Sequence, residues 1–215
     1  MNIKYHKIEG LYAREESTMR LLNGVVRHPA VEYLKDNEWI FTEKIDGTNI
    51  RVYWDGHRVS FAGRTDRAVM PYELYERLQS LFGGEATEQM FEQLFGEKEV
   101  ILYGEGYGRK IQKGGAYIPY GVDFILFDVM INGRFLERAN VVDIANALGV
   151  NCVPEVFVGT IDEAVAFVKA RPDSTIGTAK MEGLVGVPRI NLYDRHGHRI
   201  IVKIKVSDME ELEAK

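Results

Sequence analysis

A nearly continuous apolar stretch near the middle of the chain constrains the fold most. Between Val122 and Met130 every residue except Asp123 and Asp128 is apolar, and β-branched and aromatic side chains are frequent. Such a run is typical of a strand that is covered on both faces. Asn132-Gly133 follows as a turn. We therefore expect an internal strand at 122–131, inside a sheet.

The rest of the pattern indicates an α+β fold with antiparallel strands joined by hairpins. Asp55-Gly56 is a strong hairpin signal between strands at 49–54 and 58–62, and we expect 49–54 also to pair with a strand at 39–45. No linker interrupts the pattern, so 1–215 is expected to be one domain. The other predicted strands are 99–104, 153–158, 183–187 and 199–206; the predicted helices are 72–82, 86–95, 140–148, 160–170 and 207–215, with a short helix or irregular cap within 15–26.

The charge and the cysteine content limit the functions and the cellular compartment that fit this chain. The net charge of −5 argues against binding nucleic acid through bulk charge, although the segments 106–122 and 189–205 are locally basic and could steer a polyanion. Scattered, solvated charges would explain these segments equally well. Cys152 is the only cysteine, which favours a reducing, cytoplasmic compartment, and no stretch is apolar and long enough to cross a membrane.

The segment Thr42-Glu43-Lys44-Ile45-Asp46-Gly47-Thr48-Asn49 places a lysine in an apolar, β-prone surrounding. Asp46-Gly47 marks a turn, so Lys44 is expected at a strand end, where its amine can face a ligand. An amine is a nucleophile only when neutral, and burial or neighbouring cations favour the neutral form. We interpret Lys44 as a nucleophile that attacks the α-phosphate of a nucleotide. On this segment alone, a surface hairpin with an exposed lysine is the simpler explanation.

Other stretches supply the remaining groups that attack on a triphosphate requires. Cations must offset the phosphate charge, carboxylates must hold a divalent metal or the ribose hydroxyls, and an apolar slot must hold the base. Taken singly, each stretch also fits a surface arginine, a core phenylalanine or the wet face of an edge strand. The stretches are Gly63-Arg64, Gly104-Glu105-Gly106, Phe127-Asp128, Glu182-Gly183-Leu184-Val185 and Lys203-Ile204-Lys205.

In this order, and with the lysine segment first, the stretches resemble motifs I, Ia, III, IIIa, IV and V of the covalent nucleotidyltransferases. These enzymes are the polynucleotide ligases and the mRNA-capping enzymes. The resemblance runs from about Phe41 to Val206 and is strongest to the RNA ligase 2 group, which shares the Gly-Thr-Asn ending at Asn49. It implies an α+β ligase-type nucleotidyltransferase (ATP-grasp-like) domain, with helices flanking antiparallel sheets and a nucleotide pocket between the sheets.

The resemblance also assigns roles to individual residues. It implies four catalytic residues, Lys44, Glu182, Lys203 and Lys205, of which Lys44 is the adenylated lysine. The other implied roles are backbone contacts to adenine from Glu43 and Ile45, stacking on adenine by Phe127, ribose binding by Glu105, sugar or phosphate contacts from Asn49 and Arg64, phosphate binding by Lys203 and Lys205, and support of the metal through water by Glu182 and Glu105.

The implied activity is ATP-dependent sealing of RNA ends in RNA repair, with Mg²⁺ or Mn²⁺. The lysine is adenylated, AMP moves to an RNA 5′-phosphate, and a 3′-hydroxyl displaces AMP. The partner would be RNA ends or a nicked duplex, with DNA possible and no membrane. Only residues 207–215 follow motif V, so no C-terminal OB-fold or helical domain is expected, and an accessory protein could replace it. The alternatives are a minimal ATP-dependent DNA ligase and a non-catalytic nucleotide- or RNA-binding module with the same fold.

Overall fold

The computed structural model describes residues 4–112 and 116–214. Within these residues there are twelve strands and six helices, and every strand pairing except β7 with β9 is antiparallel. The strands are β1 Tyr12–Arg14, β2 Leu21–Val26, β3 Trp39–Glu43, β4 Thr48–Trp54, β5 Val59–Gly63, β6 Val100–Gly108, β7 Val122–Ile131, β8 Arg134–Phe135, β9 Asn151–Cys152, β10 Glu155–Gly159, β11 Gly183–Pro188 and β12 Val202–Lys205. The helices are α1 Pro29–Tyr33, α2 Tyr72–Phe82, α3 Glu85–Phe95, α4 Arg138–Leu148, α5 Ile161–Lys169 and α6 Val206–Glu213.

The described residues divide into two compact units. The six-stranded unit contains the residues up to His6 and those from Asp46 to Val153, and the four-stranded unit contains the rest. The chain therefore passes from one unit to the other directly after Ile45, within the predicted lysine motif. None of the described helices is long and apolar enough to cross a membrane.

The six-stranded unit is built on a sheet of order β5-β4-β6-β7-β8, with β9 added beside β7. One face of this sheet packs against helices α2, α3 and α4. Because side chains alternate along a strand, the neighbouring positions of β4 and β6 point to the opposite face. The buried core on the helix side includes Ile50, Val52, Trp54, Leu74, Leu78, Phe82, Phe91, Leu102, Leu126 and Val141.

The four-stranded unit is built on a sheet of order β10-β3-β11-β12. Its core joins Trp39 and Phe41 of β3 to apolar residues of β11, β12 and helix α5. Helix α5 begins with a capping box, in which Thr160 and Glu163 satisfy each other's backbone N–H groups. Residues 9–11 run parallel to β12, and Gly10 bridges Lys203.

Several predicted elements are confirmed, and others are wrong. The strand at 122–131 and the helices at 72–82 and 86–95 form as predicted, and the turn at Asn132-Gly133 joins β7 to β8. The predicted helix or cap within 15–26 is instead the β1–β2 hairpin, whose Arg14 forms ion pairs with Asp208 and Glu211 of helix α6. Tertiary contacts thus override local helix propensity here.

Two further differences concern the predicted site. Strand β4 does not pair with β3: it pairs with β5 and β6, while β3 pairs with β10 and β11. The turn at Asp46-Gly47 therefore carries the chain from one sheet to the other. Strand β6 runs to Gly108, so Glu105 lies within a strand and not at its end.

Candidate active site

Lys44 lies directly after β3, at the strand end, as predicted. Its backbone N–H donates to the carbonyl oxygen of Gly183 over 2.9 Å. Its Nζ lies 2.6 Å from Oε2 of Glu182, with the two side chains 25% and 28% exposed. The amine is thus oriented by a carboxylate while it stays accessible from solvent.

Close packing of β11 against β12 brings Glu182 and the paired lysines to the same end of the sheet. Gly183 pairs with Lys205 and Val185 with Lys203. A Cβ at Gly183 would overlap the carbonyl oxygen of Ile204, so a larger residue would push the two strands apart. The short distance between β11 and β12 therefore requires glycine at position 183.

Lys203 and Lys205 share one face of β12, while Val202 and Ile204 are buried on the other, as the alternation predicts. Burial lowers the pKa of Lys203, and the charges of Lys44 and Lys205 lower it further, against the opposing effect of Glu9 and Asp208. A bound anion such as a phosphate group would act in the opposite direction and raise the pKa of Lys203.

Asp208 is a site-supporting residue that the sequence did not reveal. Its carboxylate is buried, and Oδ1 lies 3.4 Å from Nζ of Lys205 and 3.3 Å from the guanidinium of Arg14. Helix α6 thus helps to fix the direction of Lys205. The sequence suggested only an acidic tail helix at this position.

Glu43 is the second residue whose side chain the sequence did not explain. It is 1% exposed, and its carboxylate accepts hydrogen bonds from Oγ of Ser174, from the backbone N–H of Thr175 at 2.9 Å and from Oγ1 of Thr175 at 2.5 Å. Its own N–H donates to the carbonyl oxygen of Pro154. Glu43 thus fastens the turn at 174–175, and the chain leads from that turn to Glu182.

In the six-stranded unit, Asn49 and Glu105 are paired across β4 and β6. Both are partly buried, and Oδ1 of Asn49 is buried without a hydrogen bond within the described residues. A Cβ at Gly47 would overlap the carbonyl oxygen of Gly106, so this position needs glycine for the chain to enter β4. By alternation, Asn49 and Glu105 lie on the face of the sheet opposite the helices.

Phe127 lies at an irregularity in the same sheet. Tyr103 pairs with Asp128 and Gly104 with Leu126, so Phe127 is the extra residue of a β-bulge. Its side chain is partly buried. Bulges redirect side chains next to functional sites, and this bulge gives Phe127 a direction that regular pairing would not.

Arg64 directly follows β5, and its side chain is exposed. A second arginine, the buried Arg51, stabilises the turn that follows Gly63. Arg51 is 3% exposed, its Nε donates to the carbonyl oxygen of Gly63 at 2.8 Å, and its guanidinium pairs with Asp66 at 2.6 Å. The sequence did not single out Arg51. The available signal was a charged residue two positions after Asn49, on the same face of β4.

Ile45 is buried, so the backbone is the part of this residue that a base could reach. The two carboxylates of the predicted metal site, Glu105 and Glu182, lie in different units. Within 4–112 and 116–214 no group of three or more His, Cys, Asp or Glu side chains could hold a metal ion.

Solved structures share this fold. The chain resembles an apo mutant of the RNA ligase of Naegleria gruberi, with a TM-score of 0.65 and 21% identity, over 87% of this chain and 55% of that one. A mutant of the same ligase with ATP and Mn gives a TM-score of 0.65 and 20% identity, over 85% of this chain and 54% of that one. A further mutant with ATP and Mn gives 0.64 and 20%, over 99% of this chain and 63% of that one.

These comparisons confirm the predicted α+β, ligase-type fold with antiparallel sheets and helices. The chain spans about half the length of the first of these ligases. No curated protein matches its sequence. The family model for RNA ligase matches residues 37–205, which include all the predicted motifs. This chain belongs to the RNA ligase family.

Proposed function

We propose that this protein is an ATP-dependent RNA ligase that joins 5′-phosphate and 3′-hydroxyl RNA ends. The observation that carries the proposal is the arrangement around Lys44. Its amine lies at a strand end, 2.6 Å from Glu182, in the same unit as the lysine pair of β12. The match of the RNA ligase family model to residues 37–205 supports the assignment.

In the first step, the lone pair of the neutral Lys44 Nζ forms a bond to the α-phosphorus of ATP, and the bond from that phosphorus to the β-phosphate oxygen breaks. The nitrogen releases one proton to solvent. Pyrophosphate leaves with the electron pair. The positive charges of Lys203 and Lys205 bind the phosphate oxygens and offset the negative charge of the phosphates. The product is a lysyl-AMP.

In the second step, an RNA 5′-phosphate oxygen attacks the α-phosphorus of the lysyl-AMP and the phosphorus–nitrogen bond breaks. The lysine leaves as an amine after taking a proton from solvent, and the product is an RNA-adenylate. In the third step, a 3′-hydroxyl attacks the 5′-phosphorus, loses its proton and displaces AMP. Each step exchanges one phosphorus substituent for another, so no oxidant or reductant is required. ATP is the only energy source.

The other motif residues bind the nucleotide in this proposal. Phe127 stacks on adenine, backbone groups of Glu43 and Ile45 contact its edge, and Glu105 binds the ribose. Asn49 and Arg64 contact sugar or phosphate. All of these roles rest on the family motifs, and the positions of Phe127 and Glu105 on one strand-paired face support them.

A divalent cation, Mg²⁺ or Mn²⁺, fits the chemistry of the carboxylates Glu182 and Glu105, which would hold it through water. Such an ion offsets the negative charge of the phosphates during transfer. Structures of the Naegleria gruberi ligase with ATP and Mn support the use of ATP with a divalent metal by this chain.

A ligation assay with matched substrates tests the proposal. The protein is incubated with ATP, Mg²⁺ and a 5′-phosphorylated nick, in all-RNA and all-DNA duplexes of the same sequence. We expect joining of the RNA strands, with RNA-adenylate accumulating at early times, and slower joining of DNA. Preferred sealing of DNA would identify a DNA ligase. Reversible binding of ATP without joining of either strand would identify a binding module.

A further inference from the structure

We infer that Tyr5, in the N-terminal segment, is a positioning residue that sets the orientation of the Phe127 ring for the base of the nucleotide. The inference rests on the proposed function, in which Phe127 stacks on adenine. It gives a role to a segment that precedes all the family motifs. Every contact that supports it lies within the six-stranded unit.

The bulge makes the direction of Phe127 depend on its neighbours. Phe127 is the unpaired extra residue of β7, so the regular pairing of the sheet does not fix it. The ring of Tyr5 meets the ring of Phe127 edge to face, with centroids 5.1 Å apart and planes at 79°. This geometry is a preferred one for aromatic pairs. The contact with Tyr5 thus holds one part of the Phe127 ring in place, and the exposed part of the ring is available to stack on a base.

Tyr5 is itself fixed by a buried hydrogen bond. Its hydroxyl donates to Oδ2 of Asp128 over 2.7 Å, and both residues are buried. A buried carboxylate needs such donors, because leaving it without them costs free energy. Asp128 directly follows Phe127, so the hydrogen bond ties the N-terminal segment to the bulge itself.

Further rings restrict Tyr5 from other sides. The ring of Tyr103 lies 4.8 Å away edge to face, and the ring of His6 stacks on it at 4.6 Å. Burial and the charge of Asp128 raise the pKa of Tyr103 to about 12, so its phenol stays protonated and neutral near pH 7.

Because Phe127, Asn49 and Glu105 occupy neighbouring strands of one sheet, a small rotation of the Phe127 ring would change the space left for the base and sugar. A stacking partner that is already held in place before the ligand arrives loses less conformational freedom on binding, which strengthens the binding. We therefore expect Tyr5 to affect the affinity for ATP more than the rate of phosphoryl transfer.

The test compares Tyr5→Leu, which removes the ring, with Tyr5→Phe, which removes only the hydroxyl. Initial rates of AMP labelling are measured against ATP concentration, and ATP binding is measured by equilibrium dialysis. For Tyr5→Leu we expect KM and Kd for ATP to rise about 3- to 10-fold with little change in kcat, the equivalent of one lost aromatic contact. Tyr5→Phe should recover much of the affinity, with KM raised about twofold.

Tyr120→Leu is the matched control, since this tyrosine of the same unit is 80% exposed, and it should leave KM unchanged. An unchanged KM in Tyr5→Leu, or a loss confined to kcat, would overturn the inference. If Tyr5→Leu does not fold, an unchanged KM in Tyr5→Phe overturns it. Absence of label on the wild-type protein would instead refute the proposed function, and the dialysis would still decide whether Tyr5 supports nucleotide binding.

Discussion

Lys44→Arg is expected to reduce covalent labelling of the protein by α-labelled ATP to background. Arginine keeps a positive charge beside Glu182, where Lys44 forms its ion pair. A guanidinium does not lose its proton at any pH that a protein tolerates, so it cannot attack phosphorus. The measurement is label retained on the denatured chain after incubation with ATP and Mg²⁺.

Lys35→Arg is the control for this substitution. Lys35 also pairs with a glutamate, with its Nζ 2.7 Å from Oε1 of Glu32, but it lies outside the motifs. We expect Lys35→Arg to label like the wild-type protein. Retained labelling of Lys44→Arg would show that another residue is the nucleophile.

Glu43→Ala is expected to lower the free energy of unfolding by about 3 kcal/mol or more. The substitution removes an acceptor from three donors in Ser174 and Thr175 that surround a buried carboxylate. Each donor left unsatisfied costs about 1–3 kcal/mol. For a chain of this length the expected fall in Tm is roughly 6–12 °C, measured by circular dichroism.

Glu38→Ala provides the comparison, because Glu38 pairs with Arg189 at 2.7 Å while both side chains are largely exposed. Exposed ion pairs contribute about 0–1 kcal/mol, so Tm should hardly change. Glu43→Gln, which keeps an acceptor, should fall between the two. Equal Tm values for Glu43→Ala and Glu38→Ala would mean that the 174–175 turn does not depend on Glu43.

Local patterns predicted the strands and the directions of their side chains. The apolar run at 122–131 gave the bounds of β7, and the alternation around Ile204 placed Lys203 and Lys205 on one face. The turn signal after Lys44 placed the lysine at a strand end. These features depend only on residues that are close together in the sequence, so they could be predicted from it.

Pairing between distant strands was not predictable in the same way. Asp46-Gly47 resembles a hairpin turn, but a turn signal does not determine which strand pairs with which. The length of β6 beyond Glu105 depends on pairing with β7, whose partner residues lie 14 to 18 positions further on, from Gly108 with Val122 to Gly106 with Phe124. Glycines that suggested a strand end there instead allow Phe124 and Leu74 to pack closely against the sheet.

The residues that support the site could not be predicted from the sequence for a related reason. Glu43 bonds to residues more than 130 positions away, and Tyr5 bonds to Asp128 across 123 positions. Neither stands out locally, because Glu43 precedes the more conspicuous Lys44 and Tyr5 precedes every motif. Arg51 interrupts an apolar strand, and its partner, the turn after Gly63, was known only once β4 and β5 were paired.

The most direct test of the central claim is the site of covalent modification. Wild-type protein is incubated with α-labelled ATP and Mg²⁺ without nucleic acid, then denatured, digested and mapped by mass spectrometry, with a parallel sample in a metal chelator. The account predicts acid-labile AMP on the peptide that contains Lys44, and none with the chelator. AMP on another residue, or no label with ATP, GTP or NAD in Mg²⁺ or Mn²⁺, would contradict it.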